Sequence, residues 1–517
     1  MRLRALRAAT HLYTGRIVGT QQYMRFPILS AEEAAALIAH EETVGMSGFT
    51  SAGSVKVVPG AIARRAAAEH AVGRPFQIKL MTGASTGQQV DGPLAEAGAV
   101  SLRVPYQSDA TMRAAINSGE VAYMDMHLSA VAQAMRLGFL PRVTTAIIEV
   151  CDVTDEGELT LTTSMGNSAA YCRMADRIIL ELNSYHKPEL REIHDIYELP
   201  PPPHRGPIPI TEPEDRIGQR TLKVDPRKIV AVVRTHQPDN HSPYKACSPE
   251  TDRIGEHIVR FLKAELQAGR LSAESSLLLQ SGVGNIANAT LAALGRSDDM
   301  PPIKMYSEVI QDAVIELMKN GRCLFASGCS LSVSDEVMQD IYAHFEFFRE
   351  RIVLRPQEVS NSPEVGHRLG VVSMNAALEV DLFGNVNSTH VCGNRLMNGV
   401  GGSGDYARSA ALTIFMCPSV AKGGCISSIV PMVSHTDHPE HDVDVVVTEQ
   451  GVADLRGKSP RERAAAIIEH CAHPDYKELL RRYIALTPTG HTPHCLEKAF
   501  AFHLAFQHTG DMHNASL

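Results

Sequence analysis

Apolar positions along this chain recur with two alternating periods. "AEEAAALIAHEETVGMSGF" (31–49) begins with apolar residues three and four apart, the helical spacing, and then shortens into a strand-like run. "PRVTTAIIEVCDV" (141–153), "MADRIILELN" (174–183), "KIVAVVRT" (228–235) and "VDVVVTEQGVADL" (443–455) are rich in Ile and Val and carry few charges, the mark of strands buried on both faces. Helical and strand patterns alternate nearly throughout, which predicts α/β architecture with mostly parallel sheets.

One stretch breaks the rhythm. Residues 199–213, "LPPPPHRGPIPITEP", hold seven prolines, and nothing there continues a helix or a central strand. The expected organisation is a basic arm over 1–30, a first α/β domain over 31–225 ending in this Pro-rich linker, and a second over 226–517. Each half opens on strand, Gly-rich turn and helix: "VGMSGFTSAGSVKVVPGAIARRA" (44–66) and "LLLQSGVGNIANATLAALG" (277–295). Two related open α/β domains facing each other would enclose an interdomain cleft, a common place for a ligand site.

Five glycine loops stand out: "SGFTSAG" (47–53), "TGASTG" (82–87), "SMGNS" (164–168), "SGVGNIAN" (281–288) and "NGVGGSG" (398–404). Most follow a strand-like run. Ligands of open α/β sheets bind at the carboxyl ends of strands, so this many loops suit a long, thin ligand lying against backbone. No loop completes a nucleotide fingerprint. The last has no Lys after its final Gly, as a Walker loop requires, and 282–289 has no third Gly of GxGxxG. "SGCSLS" (327–332) lacks the second Gly of a serine-hydrolase elbow.

Two carboxylates are candidates for chemistry. In "PPIKMYSEVIQDAVIELM" (301–318), Ser307 reads as an N-cap and Glu308 as a residue of the first helical turn. The residues alone leave Glu308 open between complementing the helix dipole and acting as a nucleophile. A free Glu, with a pKa of about 4.3, is ionised at neutral pH and needs no adjacent base. Glu449 stands at the end of a buried strand before a Gly turn, where a cap and a functional group are equally plausible. "VSHTDHPEHD" (433–442) spaces His435, His438 and His441 three apart, but it reads as a surface loop rather than a metal site.

Bulk numbers narrow the class. The 517 residues allow sizeable cores, and the net charge of −9 argues against a nucleic-acid partner. No apolar run is long enough to span a bilayer. The first 31 residues carry five Arg and no acid, which reads as a basic arm more readily than as a transit peptide. Ten scattered cysteines without a CxxC pair fit reduced thiols in a cytoplasmic setting.

"TGASTG", "LQSGVGNIANA", "YSEVIQD", "VSNSPEV", "MNGVGGSGDYARS", "IVPMVSHTDH" and "VTEQGVADLRG" follow one another along the chain. Together they resemble the acetyl-CoA hydrolase/transferase family of class I CoA-transferases, from about residue 30 to "TGHTPHCLEKAFAFH" near the end. The resemblance implies Glu308 as the nucleophile and an oxyanion site at the backbone N–H groups of Val283 and Gly402. It implies coenzyme A, as a substrate, along Gly282, Val283, Gly284, Asn285 and Ile286, with further contacts at Asn398, Gly402 and Lys422. Asn361 and Glu449 would orient the nucleophile and the acyl group. It implies CoA exchange between an acyl-CoA such as succinyl-CoA and a carboxylate such as acetate, with acetyl-CoA hydrolysis or propionyl-CoA:succinate exchange as alternatives. A homodimer is implied, and no metal or redox cofactor. A CoA-binding regulatory protein without turnover is the rival of another class, and Glu308 argues against it.

Overall fold

The structure is a computed structural model that describes residues 25–241, 247–272 and 276–517. Most of the basic arm lies outside the described residues.

Two parallel sheets form its frame. The strands of the first are β1 (Thr43–Met46), β2 (Ile78–Met81), β3 (Val100–Val104), β4 (Ala122–Tyr123), β5 (Thr145–Val153), β6 (Arg177–Asn183) and β7 (Ile229–Thr235). Those of the second are β8 (Leu277–Ser281), β9 (Ile303–Tyr306), β10 (Cys323–Gly328), β11 (Ile352–Leu354), β12 (Val372–Ala376), β13 (Leu412–Met416) and β14 (Val445–Thr448). The first sheet runs β4-β3-β2-β1-β5-β6-β7 and the second β11-β10-β9-β8-β12-β13-β14. All of these neighbours are parallel, so both halves share one strand order. The expected repeat of design is therefore present. Antiparallel strands extend the frame at Glu158–Leu161, beside β5, and at Gly451–Asp454, beside β14. "VDVVVTEQGVADL" is thus a hairpin rather than one strand.

The boundary expected near 226 falls elsewhere. β7 pairs with β6 along its whole length, so "KIVAVVRT" closes the first sheet instead of opening the second half. The Pro-rich stretch is not a free linker either. Ile208 and Ile210 are buried with Tyr306, Val359, Val365 and Tyr406 of the second half. Arg368 Nη1 donates to their carbonyls at 2.7 and 2.6 Å. Prolines prevent helix and ladder, yet an extended strap needs neither, and it can still bury apolar side chains.

The halves are stitched edge to edge. Met165 N–H donates to Cys329 O at 2.9 Å, Leu331 N–H to Thr163 O at 2.8 Å and Gln357 N–H to Gly166 O at 3.1 Å. One apolar core runs through both, from Ile148 and Leu180 to Leu279 and Met374.

Candidate active site

The carboxyl ends of β1 and β2 face those of β8, β9 and β12 across a cavity of about 600 Å³. Phe49, Thr50, Ala84, Thr86, Tyr106 and Leu128 line it from the first half. Gly282, Val283, Glu308, Val309, Asn375, Asn398 and Gly402 line it from the second. The wall near Glu308 is apolar: Phe49, Ala84, Leu128, Val309 and Cys329 form one buried cluster drawn from both halves.

Glu308 is not in a helix. It sits between β9 and a short strand, Val309–Gln311, which pairs with Ser330–Ser332. The helix begins only at Asp312, and the Ser307 hydroxyl donates to Ser281 O at 3.0 Å instead of capping it. Tertiary pairing holds residues 309–311 extended, against the local cap signal. Cys329 N–H and Ser330 N–H fix the Glu308 carbonyl at 2.7 and 3.0 Å, which points the side chain into the cavity.

Asn361 Nδ2 donates to Glu308 Oε2 at 2.7 Å. Asn361 is itself fully buried, and its Oδ1 accepts from Ser360 Oγ at 2.8 Å, which fixes the amide's orientation. No ion pair reaches Glu308 among the described residues. Burial therefore raises its carboxyl to about 7, with only the Asn361 hydrogen bond pulling it down. The ordinary acidity expected from sequence does not hold, because burial pushes the Glu308 carboxyl above the usual carboxylate range.

Gly402 is the close neighbour of this carboxylate. A Cβ there would overlap Glu308 Oε2 and Asn361 Nδ2, so only glycine brings backbone this near. Asp405, three residues on, is buried, and burial raises its carboxyl to about 7 as well. In the sequence Asp405 stands among glycines that alone carry a reading. An acid that directly follows a glycine loop was the available signal.

The other candidates divide. Gly282, Val283 and Asn398 reach the cavity wall, and Asn398 Nδ2 donates to Ser388 O at 3.2 Å. Gly284 precedes the helix Asn285–Gly295, which starts with Asn285 and Ile286 beyond the cavity wall. Glu449 is bound elsewhere: Ser419 N–H donates to it at 2.7 Å and Gln450 Nε2 at 2.9 Å, and the Ser419 hydroxyl donates as well. Burial pushes the Glu449 carboxyl up, but these bonds outweigh it and leave the pKa lowered. Lys422 Nζ lies 5.0 Å over the Phe506 ring. Neither residue lines the cavity with Glu308.

His435, His438 and His441 do not converge as metal ligands among the described residues. The acids and histidine that do converge are Glu149, His186 and Asp239. The Lys56 ammonium lies among them, 3.1 Å from Glu149 and 2.7 Å from Asp239, and supplies the cation there. No helix among the described residues is long and apolar enough to cross a membrane.

Comparison with known proteins gives the family. The acetyl-CoA hydrolase/transferase N-terminal domain matches residues 14–234 and the C-terminal domain of the same name matches residues 338–484. The N-terminal match ends within β7, beside the boundary seen in the sheet. A propanoyl-CoA:succinate CoA transferase of Escherichia coli is 47% identical over 484 residues, covering 94% of this chain and 98% of that protein. A succinyl-CoA:acetate CoA-transferase of Clostridium kluyveri is 48% identical over 488 residues, covering 94% and 90%. The solved structure of RipA from Yersinia pestis shares the fold, with a TM-score of 0.66 at 22% identity over 88% of this chain and 96% of that one. Matches across both halves and over nearly the full length show that this chain belongs to the acetyl-CoA hydrolase/transferase family, as an enzyme of the CoA-transferase type.

Proposed function

We propose that the protein moves CoA between an acyl-CoA, such as succinyl-CoA, and a carboxylate, such as acetate, by a ping-pong cycle through Glu308. The observation that carries this is a carboxylate in a cavity between the halves, with one amide partner and a glycine backbone against it. A carboxylate held in that way is a nucleophile with an oxyanion site beside it, rather than half of an ion pair.

Glu308 attacks the thioester carbonyl. The carbon–sulfur bond breaks, leaving an acyl–glutamyl anhydride and CoA thiolate. The thiolate attacks the Glu308 carbonyl of the anhydride and releases the first carboxylate, which leaves a glutamyl–CoA thioester. A second carboxylate then runs both steps in reverse. The N–H groups of Val283 and Gly402 are the oxyanion donors in this scheme, and one such donor is worth about 3 kcal/mol. Asn361 orients Glu308. CoA lies along Gly282–Ile286 and Asn398, and binding energy from its remote nucleotide end draws the sulfur into register. Glu449 as an orienting group for the acyl group and Lys422 as a further CoA contact stay part of this reading, although both are held at other contacts.

The test follows succinyl-CoA, acetyl-CoA and free CoA separately, with and without acetate. Acetyl-CoA appearing only with acetate, at low free CoA and dependent on Glu308, supports transfer. Free CoA released at the same rate without acetate would make water the acceptor and the protein a hydrolase.

A further inference from the structure

The groups that flank Glu308 belong to the second half by sequence, but the first half holds them in place. Along the glycine loop, contacts with the first half occur at successive points. Asn117 meets both the N–H and the carbonyl of Leu396 at 2.9 Å. Gly399 N–H donates to Gln107 O at 3.3 Å. Asp125 accepts Val400 N–H at 2.8 and 3.0 Å. Ser129 N–H and Oγ donate to the two oxygens of Asp405 at 3.0 and 2.6 Å. The last two contacts are reciprocal, because each half offers a carboxylate to the other's backbone. A Cβ on Gly399 would overlap Tyr123 and Asp125, and one on Gly404 would overlap His127. The glycines therefore let this loop lie directly on the first half.

Asn361 is anchored in the same way. It follows the short helix Gln357–Ser360. Arg136 clamps Glu358 of that helix with two hydrogen bonds of 2.6 Å, and Gln357 Nε2 donates to Leu128 O at 2.9 Å. Arg136 and Glu358 are mostly buried, and a paired Arg–carboxylate fork fixes orientation as well as distance.

We propose that residues 125–136 are a positioning segment. With Asp405 and Glu358 as counterparts, they hold Gly402 and Asn361 against Glu308 and keep the halves closed during turnover, and so decide whether a carboxylate or water takes the intermediate. The inference rests on the proposed Glu308 chemistry. The glutamyl–CoA thioester has two fates. A carboxylate oxygen attacking its carbonyl carbon breaks the carbon–sulfur bond and gives an anhydride and thiolate, which recombine to acyl-CoA and the free Glu308 carboxylate. A water oxygen attacking the same carbon also breaks that bond. Its oxygen stays on Glu308, one proton goes to the thiolate and one to solvent, and CoA leaves as the thiol. The acceptor acid needs orientation between the two walls, whereas water needs only entry. A looser seam therefore favours water.

The test uses the full-length protein with Asp405→Asn, Ser129→Ala and Arg136→Lys as separate variants, each checked for cooperative thermal unfolding. Ser129→Ala and Arg136→Lys are the mild changes that cover for Asp405→Asn should the buried substitution not fold. Free CoA and acetyl-CoA are followed from succinyl-CoA plus acetate. The expected result in folded variants is a hydrolysis-to-transfer ratio raised about fivefold or more, with KM for succinyl-CoA changed less than about threefold. Folded variants that keep the wild-type ratio would overturn the inference, whatever their total rate, because a merely structural role lowers rate without changing partition. If the unaltered protein shows no Glu308-dependent turnover, the functional reading fails first and this inference fails with it.

Discussion

Asp91 in the first half and Glu308 in the second are both carboxylates beyond the second strand of their sheets: Asp91 opens the helix Asp91–Glu96 after the "TGASTG" loop, and Glu308 lies directly between two strands. They are satisfied in opposite ways. Asp91 is fully buried and accepts from Arg103 Nε at 2.7 Å, Ser85 Oγ at 2.9 Å and Thr86 N–H at 2.9 Å. Its charge is neutralised and its lone pairs are occupied, so it holds the "TGASTG" loop in shape. Glu308 has one neutral partner and no cation. The same contrast recurs away from Glu308. Glu149 and Asp239 share Lys56, whereas Asp405, at the seam between the halves, accepts from Ser129 and has no ion pair among the described residues. One strand order thus supports two uses of a buried acid. Where a cation and several donors converge, the acid is structural. At Glu308 they are withheld, and the acid faces the cavity under-paired and available to an electrophile.

Changes on the two sides of this contrast should fail in different ways. Glu308→Gln removes the nucleophile at nearly constant shape. Steady-state CoA transfer should fall at least about 10³-fold, with thermal unfolding unchanged or improved, since a partly buried, under-paired charge is also removed. Asp91→Ala should do the reverse. Leaving Arg103 buried without its partner should cost about 3–5 kcal/mol of folding stability by denaturant titration. Gly402→Ala comes next. Its methyl would collide with Glu308 and Asn361, so kcat should drop about 10²-fold while the melting profile barely moves.

The smallest effect concerns pH. The reaction needs the Glu308 carboxylate, and burial raises that carboxyl to about 7. The kcat/KM profile should therefore fall on the acid side, through a midpoint near that value. The Asn361 hydrogen bond favours the charged form. Asn361→Ala should move the midpoint to higher pH and lower activity most below it, whereas Asp91→Asn should leave the midpoint in place.

The strands were legible in the sequence because burial on both faces writes Ile and Val runs that little else imitates. The glycine loops were legible for a similar reason, since close backbone approach excludes other residues. Two errors share one cause. Glu308 read as the first turn of a helix because Ser307 before an apolar run imitates a cap, while the strand that holds 309–311 extended lies at 330–332. β7 read as the start of a domain because seven prolines precede it, while its partner β6 lies before them. Local signals gave way to pairing that no local window contains. The seam between the halves was illegible for the same reason. Ser129 and Asp405 are separated by 276 positions, and Arg136 and Glu358 by 222. Glu449 stands in a long motif, and that motif does not reveal that Ser419, thirty positions before it, donates to its carboxylate.

The central claim is that Glu308 becomes covalently joined to CoA. The most direct measurement is intact and peptide mass spectrometry of the protein after incubation with acyl-CoA and no acceptor acid. The account predicts a mass increase of one CoA less one water, located on the peptide that contains Glu308 and absent from Glu308→Gln. An adduct on another residue, or turnover with acetate at full rate but no adduct on Glu308, would contradict it.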